Sequence, residues 1–539
     1  MKSSAEYIPY SQTNSFSTIV NDYINQSPQL QPFYTAPPTI NNIINAVATK
    51  TFTQTNRIKL VSAFNNAYLN VAITTAVQQN IEALLQPNTY TICTAHQPNI
   101  FTGHLYFIYK IVHAIALANE LNNATNTYKF VPIYYMGNED ADLEELGELN
   151  LPTETLHWAT NQTGAVGRMV IDDNFLQLIK RIEGEFGTLN YCNEIVTLIK
   201  NCYTINTTIE AATFELVHQL FGSYGLLILN ADNATLKATM HTVFSNDLLH
   251  NTSYKIVQKT NEKLAQFYKV QASGREINLF YLKNNIRERI EKNANGNYIV
   301  VGTNLTFTQS EMLTELQNNP QHFSPNVILR GLYQETILPN AAFIGGGGEL
   351  AYWLQLKDLF VQYQIQFPIL VLRNSFVLLT GKQHNSWHNL GFSTTQLFEP
   401  TINLHNIFTQ LHTTNTLTTT TEQLTITALY DQLSNTAATI DVTLTKHIQS
   451  LKTKQLNKLK QVDKKLLRAE KRNMTTALHK INTVKNKLFP NNNLQERYDN
   501  IIPYYALYGK QIIDIIYQHS IVTDSKFCVL TINDDDNTN

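Results

Sequence analysis

The sequence has little of several features that mark specialised classes of protein. Its 539 residues include only 20 glycines and 16 prolines, below the usual shares of about 7% and 5%, which excludes collagen-like and Pro/Gly-rich disordered chains. There are four cysteines, Cys93, Cys192, Cys202 and Cys528. They are too few for a disulfide framework and none stands in C-x-x-C spacing, so we expect reduced thiols and assign no metal ligands.

Charge and long apolar runs are also scarce. Charged residues make up 15% of the chain and the formal net charge is −2, so no basic field indicates a nucleic acid partner. The most apolar windows, 105–118 and 368–380, are too short to span a bilayer and are interrupted by Lys110 and Arg373. The first residues lack the apolar stretch of a signal peptide. We therefore expect a soluble, cytoplasmic protein with no membrane partner.

Short apolar runs that end in polar residues predict an α/β fold with a parallel sheet. Residues 1 to about 85 look mostly helical, and a strand–helix–strand unit of the size of a parallel crossover follows. Thr102 is the predicted N-cap of its helix. The predicted strands cover residues 90–95, 130–136, 225–230 and 369–372. Mixed patterns at about 149–218 and 274–325 predict subdomains inserted into a core that spans 1–400.

The composition changes at about residue 401. The Thr-rich stretch 412–421 predicts an exposed linker, and residues from about 426 to 488 are rich in Lys without Gly or Pro. Apolar residues there repeat in steps of three and four, from Leu459 to Leu488. This pattern predicts an α-helical coiled-coil hairpin or dimer arm within 401–490, with an ordinary long bundle helix as the alternative. Residues 491–539 are expected to return to the core.

Three polar segments are candidates for chemistry. The first, His96-Gln97-Pro98-Asn99 through Gly103-His104, follows the first strand and precedes a helix N-terminus, where free N–H groups favour an anion. Its histidines and Gln97 would supply donors. The alternative is a capped turn with a packed histidine.

The second segment is acidic and follows the next strand. It reads Gly137-Asn138-Glu139-Asp140-Ala141-Asp142, then Glu144-Glu145. Clustered carboxylates at a strand end can act as a general base, bind an ammonium group or hold Mg²⁺. A solvated, acidic helix start explains the composition equally well.

The third segment is rich in glycine. Gly345, Gly346, Gly347 and Gly348 stand in a row before Glu349 and Tyr352, and in a chain so poor in glycine this indicates close approach of a ligand to the backbone. No Gly-Lys-Ser/Thr follows, so it is not a Walker A loop; the alternative is a flexible turn. Arginines near predicted element ends could bind carboxylates or form surface salt bridges. They are Arg275, Arg287, Arg289, Arg330 and Arg373.

Together these segments resemble the bacillithiol-biosynthesis cysteine-adding enzymes, the cysteine ligases of the BshC family. The matching stretches run in family order from about residue 90 to the C-terminus. They are Thr94-Ala95-His96-Gln97-Pro98-Asn99, Val131-Pro132-Ile133, Arg275-Glu276-Ile277-Asn278, Ser324-Pro325-Asn326, Leu338-Pro339-Asn340, the glycine-rich segment through Trp353, and Leu494-Gln495-Glu496-Arg497. The chain departs from the family pattern at His104, where a proline is usual, at Ala141, where a histidine is usual, and in lacking a proline within the glycine-rich segment.

The resemblance implies a Rossmann-like core with connecting-peptide insertions, as in class I aminoacyl-tRNA synthetases, and a coiled-coil domain that forms a homodimer. The implied reaction joins L-cysteine to the amino group of glucosaminyl-malate, giving bacillithiol. Amide formation from a free carboxylate needs activation, so ATP is the expected co-substrate, through an acyl-adenylate or an acyl-phosphate with ADP as product.

On this hypothesis the strand-end loops form one cleft. The expected catalytic residues are His96, Gln97, His104, Glu139 and Asp140. The expected substrate- or nucleotide-binding residues are Asn99, Gly103, Asp142, Arg330, Gly345, Gly346, Gly347, Gly348, Glu349, Tyr352 and Arg373. Two alternatives stay open: a non-catalytic nucleotide-binding or scaffold homologue, favoured by the departures at His104 and Ala141, and a nucleotidyltransferase, which rests on fold analogy alone.

Overall fold

The computed structural model describes residues 2–533, which contain fifteen strands and twenty-three α-helices. The strands are β1 (Lys2–Pro9), β2 (Thr89–His96), β3 (Lys129–Met136), β4 (Glu148–Asn150), β5 (Thr155–His157), β6 (Leu227–Asn230), β7 (Leu279–Lys283), β8 (Ile286–Lys292), β9 (Tyr298–Val300), β10 (Thr306–Phe307), β11 (Phe323–Pro325), β12 (Asn340–Gly345), β13 (Ile369–Leu372), β14 (Ser375–Thr380) and β15 (Lys526–Asn533). The helices are α1 (Thr18–Ile24), α2 (Ile40–Ala48), α3 (Gln54–Ala67), α4 (Thr75–Ala83), α5 (Leu105–Ala124), α6 (Leu143–Leu146), α7 (Asp173–Phe186), α8 (Cys192–Cys202), α9 (Ile209–Phe221), α10 (Ala234–Lys237), α11 (His241–His250), α12 (Thr252–Leu264), α13 (Gln309–Asn318), α14 (Val327–Ile337), α15 (Gly347–Trp353), α16 (Lys357–Gln362), α17 (Gly381–Asn389), α18 (Thr401–His412), α19 (Thr420–Ile440), α20 (Leu444–Asn473), α21 (Thr475–Leu488), α22 (Ile502–Tyr508) and α23 (Gln511–Gln518).

A parallel sheet with the strand order β13-β12-β2-β3-β6 forms the core. Its strands are buried almost throughout, as expected for a parallel sheet covered on both faces. The chain passes from β2 through α5 to β3 on one side, whereas β12 pairs with the other side of β2. The strand order therefore reverses between β2 and β12. In open α/β sheets, ligands bind where the order reverses, at the carboxyl ends of the strands. The predicted Rossmann-like core is confirmed.

Both segments with mixed patterns lie between strands of this core. Between β3 and β6 stand helices α6 to α9 and the small pair β4–β5. Between β6 and β12 an antiparallel sheet has the order β10-β9-β8-β7-β11. This second sheet carries side chains over the carboxyl ends of the core strands, including Arg287 on β8.

A third sheet joins the two ends of the described chain. β15 pairs antiparallel with β1 and parallel with β14, so Cys528 lies opposite Tyr7 on one side and Phe376 on the other. The first 85 residues are mostly helical, as expected, and β1 is the exception. Only Ile8 of that strand is buried, so main-chain pairing holds β1, and its sequence carries no strong apolar alternation.

The entry to α5 also differs from the prediction. The helix begins at Leu105 with His104 as its N-cap residue, and Thr102 lies in a preceding 3₁₀ turn with φ +73°. The prediction of Thr102 as the N-cap is wrong. The Leu105 N–H donates to the carbonyl oxygen of Asp499 at 2.8 Å, so a segment from the far end of the chain satisfies this helix start in place of a capping side chain.

The C-terminal domain is built on a helical hairpin. α19 and α20 run antiparallel, joined by a short turn, and Asp463 accepts hydrogen bonds from the Thr419 N–H (2.7 Å) and from Gln423 Nε2 (3.0 Å) across the pair. α21 packs against α17 and α18, with Ile481 and Leu488 fully buried. The predicted coiled-coil domain is confirmed, with its helical run broken into a hairpin and an anchoring helix. We call α19 and α20 the arm.

Candidate active site

A cleft of about 590 Å³ lies at the carboxyl ends of the core strands. Its walls come from the turns after β2, β3, β12 and β13, from the second sheet and α14, and from the segment after the arm. Six cationic side chains and three carboxylates line it. They are Lys110, Arg275, Arg287, Arg330, Arg373 and Arg497, and Asp140, Glu145 and Glu349. The excess of positive charge fits anionic ligands such as carboxylates or phosphates.

The structure brings ten of the sixteen predicted site residues to this cleft. They are His96, Gln97, Asp140, Arg330, Gly346, Gly347, Gly348, Glu349, Tyr352 and Arg373. Six do not line it, namely Asn99, Gly103, His104, Glu139, Asp142 and Gly345.

His96 is the last residue of β2 and is 9% exposed. Its ring lies 5.3 Å from the rings of both Tyr106 and Phe107, centroid to centroid, and its Nε2 has no hydrogen-bond partner within residues 2–533. Burial, followed by the positive charges of Lys110 and other nearby cations, lowers the His96 pKa well below its usual value. The imidazole is therefore neutral at pH 7, and its unpaired nitrogen is available to a ligand.

Two arginines meet one carboxylate beside His96. Asp140 lies 3.6 Å from Arg330 Nη2 and 3.8 Å from Arg287 Nη1, and it accepts a hydrogen bond from Gln97 Nε2 at 3.3 Å. Burial by itself would raise the pKa of Asp140, but the charges of Arg330 and Arg287 outweigh it, and the pKa is lowered. Because two cations share one ionised carboxylate, the cluster has capacity for a further anionic group.

Lys110 provides a cation from inside an apolar helix. It is 3% exposed on α5, its Nζ donates to the Ala95 carbonyl oxygen at 2.9 Å, and it forms an ion pair with Glu349. Glu349 Oε2 also accepts the Gly346 N–H at 2.8 Å, so the carboxylate closes the start of α15. Burial lowers the pKa of Lys110, and the charge of Glu349 opposes that shift.

Arg373 is held by the segment that follows the arm. Its Nη1 and Nη2 donate to Glu496 at 3.0 and 2.7 Å, and Nη1 also donates to Ser375 Oγ at 3.0 Å. The guanidinium carbon lies 5.4 Å from the centroid of the Tyr106 ring. The two terminal nitrogens that would grip a carboxylate are thus engaged by Glu496, which leaves Nε on the side of Gly346.

The glycines divide into two kinds. A Cβ on Gly346 would lie 3.4 Å from Arg373 Nε, an ordinary contact, and the residue has extended backbone angles of −73° and 172°. Nothing in the protein itself demands glycine there, which supports a ligand close to this backbone. At Gly345 a Cβ would meet the Phe343 ring at 2.8 Å, and Gly103 has φ +64° with Asn99 Cβ at 2.7 Å. These two glycines serve the fold.

Three of the predicted residues outside the cleft, Glu139, Asp142 and His104, have structural partners. Glu139 is buried, forms an ion pair with Lys237 and accepts a hydrogen bond from Ser324 Oγ at 3.1 Å. Asp142 caps α6 by accepting the Glu145 N–H at 3.2 Å. His104 Nδ1 lies 3.2 Å from the Tyr498 carbonyl oxygen.

Glu145 takes the cleft position that the sequence suggested for Glu139. It lies on α6 at the exposed edge of the cleft. Partial burial, with repulsion from Asp142 and Asp140, raises the Glu145 pKa. The signal was present, since Glu145 belongs to the acidic segment, but the partners of Glu139, Lys237 and Ser324, lie far away in the sequence.

Fold and cleft together define a Rossmann-like α/β enzyme with a helical arm. The family model "Bacillithiol biosynthesis BshC, N-terminal Rossmann-like domain" matches residues 3–374, and "Bacillithiol biosynthesis BshC, C-terminal coiled-coil domain" matches residues 376–532. The chain belongs to this family.

Similar proteins cover nearly the whole chain. A protein of Flavobacterium johnsoniae is 37% identical over 97% of this chain and 99% of its own length. One of Flavobacterium psychrophilum is 38% identical over 94% and 96%, and one of Christiangramia forsetii 35% identical over 97% and 98%. All three are named "Putative cysteine ligase BshC", which confirms the predicted enzyme class, a ligase. Within residues 2–533, no helix is both long and apolar enough to cross a membrane.

Proposed function

We propose that this protein joins the carboxyl group of L-cysteine to the amino group of glucosaminyl-malate and so completes bacillithiol. The observation that carries the proposal is the match of both domains to the BshC family, with relatives named as cysteine ligases over their full length. The charge of the cleft supports it independently, because the substrates bring carboxylates and ammonium groups and the walls offer partners for both.

The arginine pair is the proposed malate site. Arg330 and Arg287 share Asp140 at 3.6 and 3.8 Å, so a dicarboxylate can complete the neutralisation of their charge. Arg373 contributes less than expected, because Glu496 occupies its terminal nitrogens. Glu145 is the proposed general base for the attacking amine, since a carboxylate with a raised pKa accepts a proton more readily.

Activation of the cysteine carboxylate is assigned to ATP, which supplies the free energy that amide formation from a free acid lacks. The residues present fit its anionic groups: the cleft has more cations than carboxylates, and the buried His96 Nε2 is unpaired within the described chain. Lys110 and Arg275 would face phosphate, and Gly346 and Gly348 leave room beside the backbone. His96, being neutral, would donate a single N–H to an oxygen on which negative charge develops.

A reconstitution tests the proposal. The purified full chain is incubated with L-cysteine, glucosaminyl-malate and ATP, and bacillithiol is measured by mass spectrometry together with the nucleotide products. A strain lacking the chain is analysed for the same thiol. Product in the first assay and its loss in the second are expected. If no nucleotide yields product and the strain keeps its thiol, the protein is a non-catalytic homologue.

We further propose that the arm forms a homodimer and that the enzyme works in the cytoplasm, where its four buried, free cysteines stay reduced. The hairpin leaves apolar side chains in solvent on both helices: Leu424 is 67% exposed, Leu429 52% and Val462 42%. A second copy would cover this stripe. Sedimentation of the full chain and of a chain lacking residues 420–473 decides the point. A monomer at micromolar concentration for the full chain would refute it.

A further inference from the structure

A second group of ligand-type side chains lies where α17 packs against the three-stranded sheet, and none of its members lines the cleft. His384 and His388 are four residues apart on α17, so they project from one face of the helix. Their ring centroids are 4.3 Å apart. Glu6 on the neighbouring strand β1 completes the group, with its Oε1 3.9 Å from His384 Nε2.

These three side chains form the set of ligands that Zn²⁺ prefers. Two imidazoles and one carboxylate, plus a water, give four-coordinate zinc at metal–ligand distances of about 2.0–2.2 Å, which places neighbouring ligand atoms about 3.3 Å apart. In the structure the ligand atoms all lie within 4.8 Å of one another. Within residues 2–533 no other group of three or more His, Cys, Asp or Glu side chains comes so close.

The carboxylate is held for this role by a neighbour. Thr394 Oγ1 donates to Glu6 Oε1 at 2.8 Å, the type of outer contact that orients a metal ligand. Glu6 and His388 are exposed and His384 is partly exposed, so an ion can enter, and surface rotamers can close the remaining distance. The H-x-x-x-H spacing at 384–388 was visible in the sequence; the contribution of Glu6, from the opposite end of the chain, was not.

We propose that Glu6, His384 and His388 bind a divalent transition-metal ion, with Zn²⁺ as the best match, and that the ion fastens β1 to α17. β1 is an edge strand with a single buried side chain, so it is held mainly by main-chain bonds to β15. A metal that bridges β1 and α17 would fix this edge where the coiled-coil domain begins.

Binding of ZnCl₂ to the metal-stripped full chain, by calorimetry or by competition with a chromophoric chelator, tests the site. We expect one strong ion per chain. His384→Ala and His388→Ala should raise its Kd by more than about 100-fold, beyond the 10–100-fold usual for outer contacts, and Thr394→Val should fall within that range. His157→Ala is the matched control, because His157 is an exposed histidine 3.7 Å from a carboxylate, Glu148, outside the group.

Two further readouts separate this site from incidental binding. Co²⁺ should give the visible bands of a tetrahedral complex in the wild type and lose them in His388→Ala. Hydrogen exchange of residues 2–9 should slow on zinc addition in the wild type alone. Equal zinc affinity in the wild type and in both histidine variants would overturn the proposal. A wild-type Kd above about 100 μM, the order of magnitude typical of single surface histidines, would overturn it as well. Because all three ligands are at least partly exposed, the metal-free variants should have the same melting temperature as the metal-free wild type. A lower melting temperature of the variants would assign these residues to folding instead.

Discussion

Replacing Glu496 should destabilise the molecule more than replacing any exposed carboxylate. Glu496 is fully buried. It accepts hydrogen bonds from both terminal nitrogens of Arg373 at 2.7 and 3.0 Å, from Ser375 Oγ at 3.2 Å and from the Phe376 N–H at 3.3 Å. Glu496→Gln keeps the shape of the side chain and removes its charge, leaving the Arg373 guanidinium, 3% exposed, without a counter-ion.

The magnitude follows from burial. Removing one partner of a buried ion pair costs about 3–5 kcal/mol, because the other charge remains in a poorly solvated place. We expect the lower end, about 3 kcal/mol, since the glutamine oxygen keeps part of the hydrogen bonding. The exposed pair Lys200–Glu183, with Nζ 2.8 Å from the carboxylate, is the control, and Glu183→Gln should cost about 0–1 kcal/mol.

The free energy of unfolding of both variants is measured in urea, from the first cooperative transition. A third chain, Arg373→Met with Glu496→Leu, removes the whole pair, and apolar replacement of a buried pair is often neutral or stabilising. We expect it to be more stable than Glu496→Gln and yet less active than the wild type, because Arg373 lines the cleft. If Glu496→Gln loses no more free energy of unfolding than the Glu183→Gln control, the Arg373–Glu496 pair contributes nothing and the reasoning fails.

Three further predictions concern the cleft and the core. Gly346→Val should abolish substrate binding and shift the melting temperature by only a few degrees. Gly345→Val, whose Cβ would lie 2.8 Å from the Phe343 ring, should lower stability. Calorimetry of both variants checks this, and a lower melting temperature for Gly346→Val than for Gly345→Val would refute it. His96→Ala should reduce kcat by about 10²–10⁴-fold with little change in glucosaminyl-malate affinity, and unchanged turnover would make His96 a packing residue. Burial raises the pKa of Asp247 to about 6, so the folded state binds the extra proton and its stability falls as pH rises from about 4 to 6. Asp247→Asn should flatten that slope in urea unfolding at the two pH values, and a parallel slope would contradict it.

Much of the core was predictable because its signals are local. The strands β2, β3, β6 and β13 are short apolar runs that end in polar residues, and their parallel pairing puts those ends at one edge. The glycine-rich segment stood out against a glycine-poor chain. β1 was missed because its side chains are mostly exposed, and a strand held by its backbone leaves no apolar pattern to read.

The site was predictable by segment but not by side chain. Glu139 and Asp140 are adjacent, yet Glu139 turns to Lys237 and Asp140 to the arginines, a choice made by partners remote in sequence. Likewise, no local sequence pattern predicts that Glu496 forms an ion pair with Arg373. The position of Lys110 was informative, because a single lysine within an apolar helix is seldom buried without a partner. It predicts an anionic partner such as Glu349.

The pairing of β1 with β15 sets the order in which the molecule is completed during synthesis. A ribosome makes residues 2–9 long before residues 526–533, so β1 waits for its partner for roughly half a minute to two minutes at about 5–20 residues per second. β14 waits as well, while the arm is made. Two strand edges therefore stand open on the nascent chain, which is a hazard for association with neighbouring chains. β15 closes both edges at once when it leaves the ribosome, and a chain cut short before it would carry them exposed.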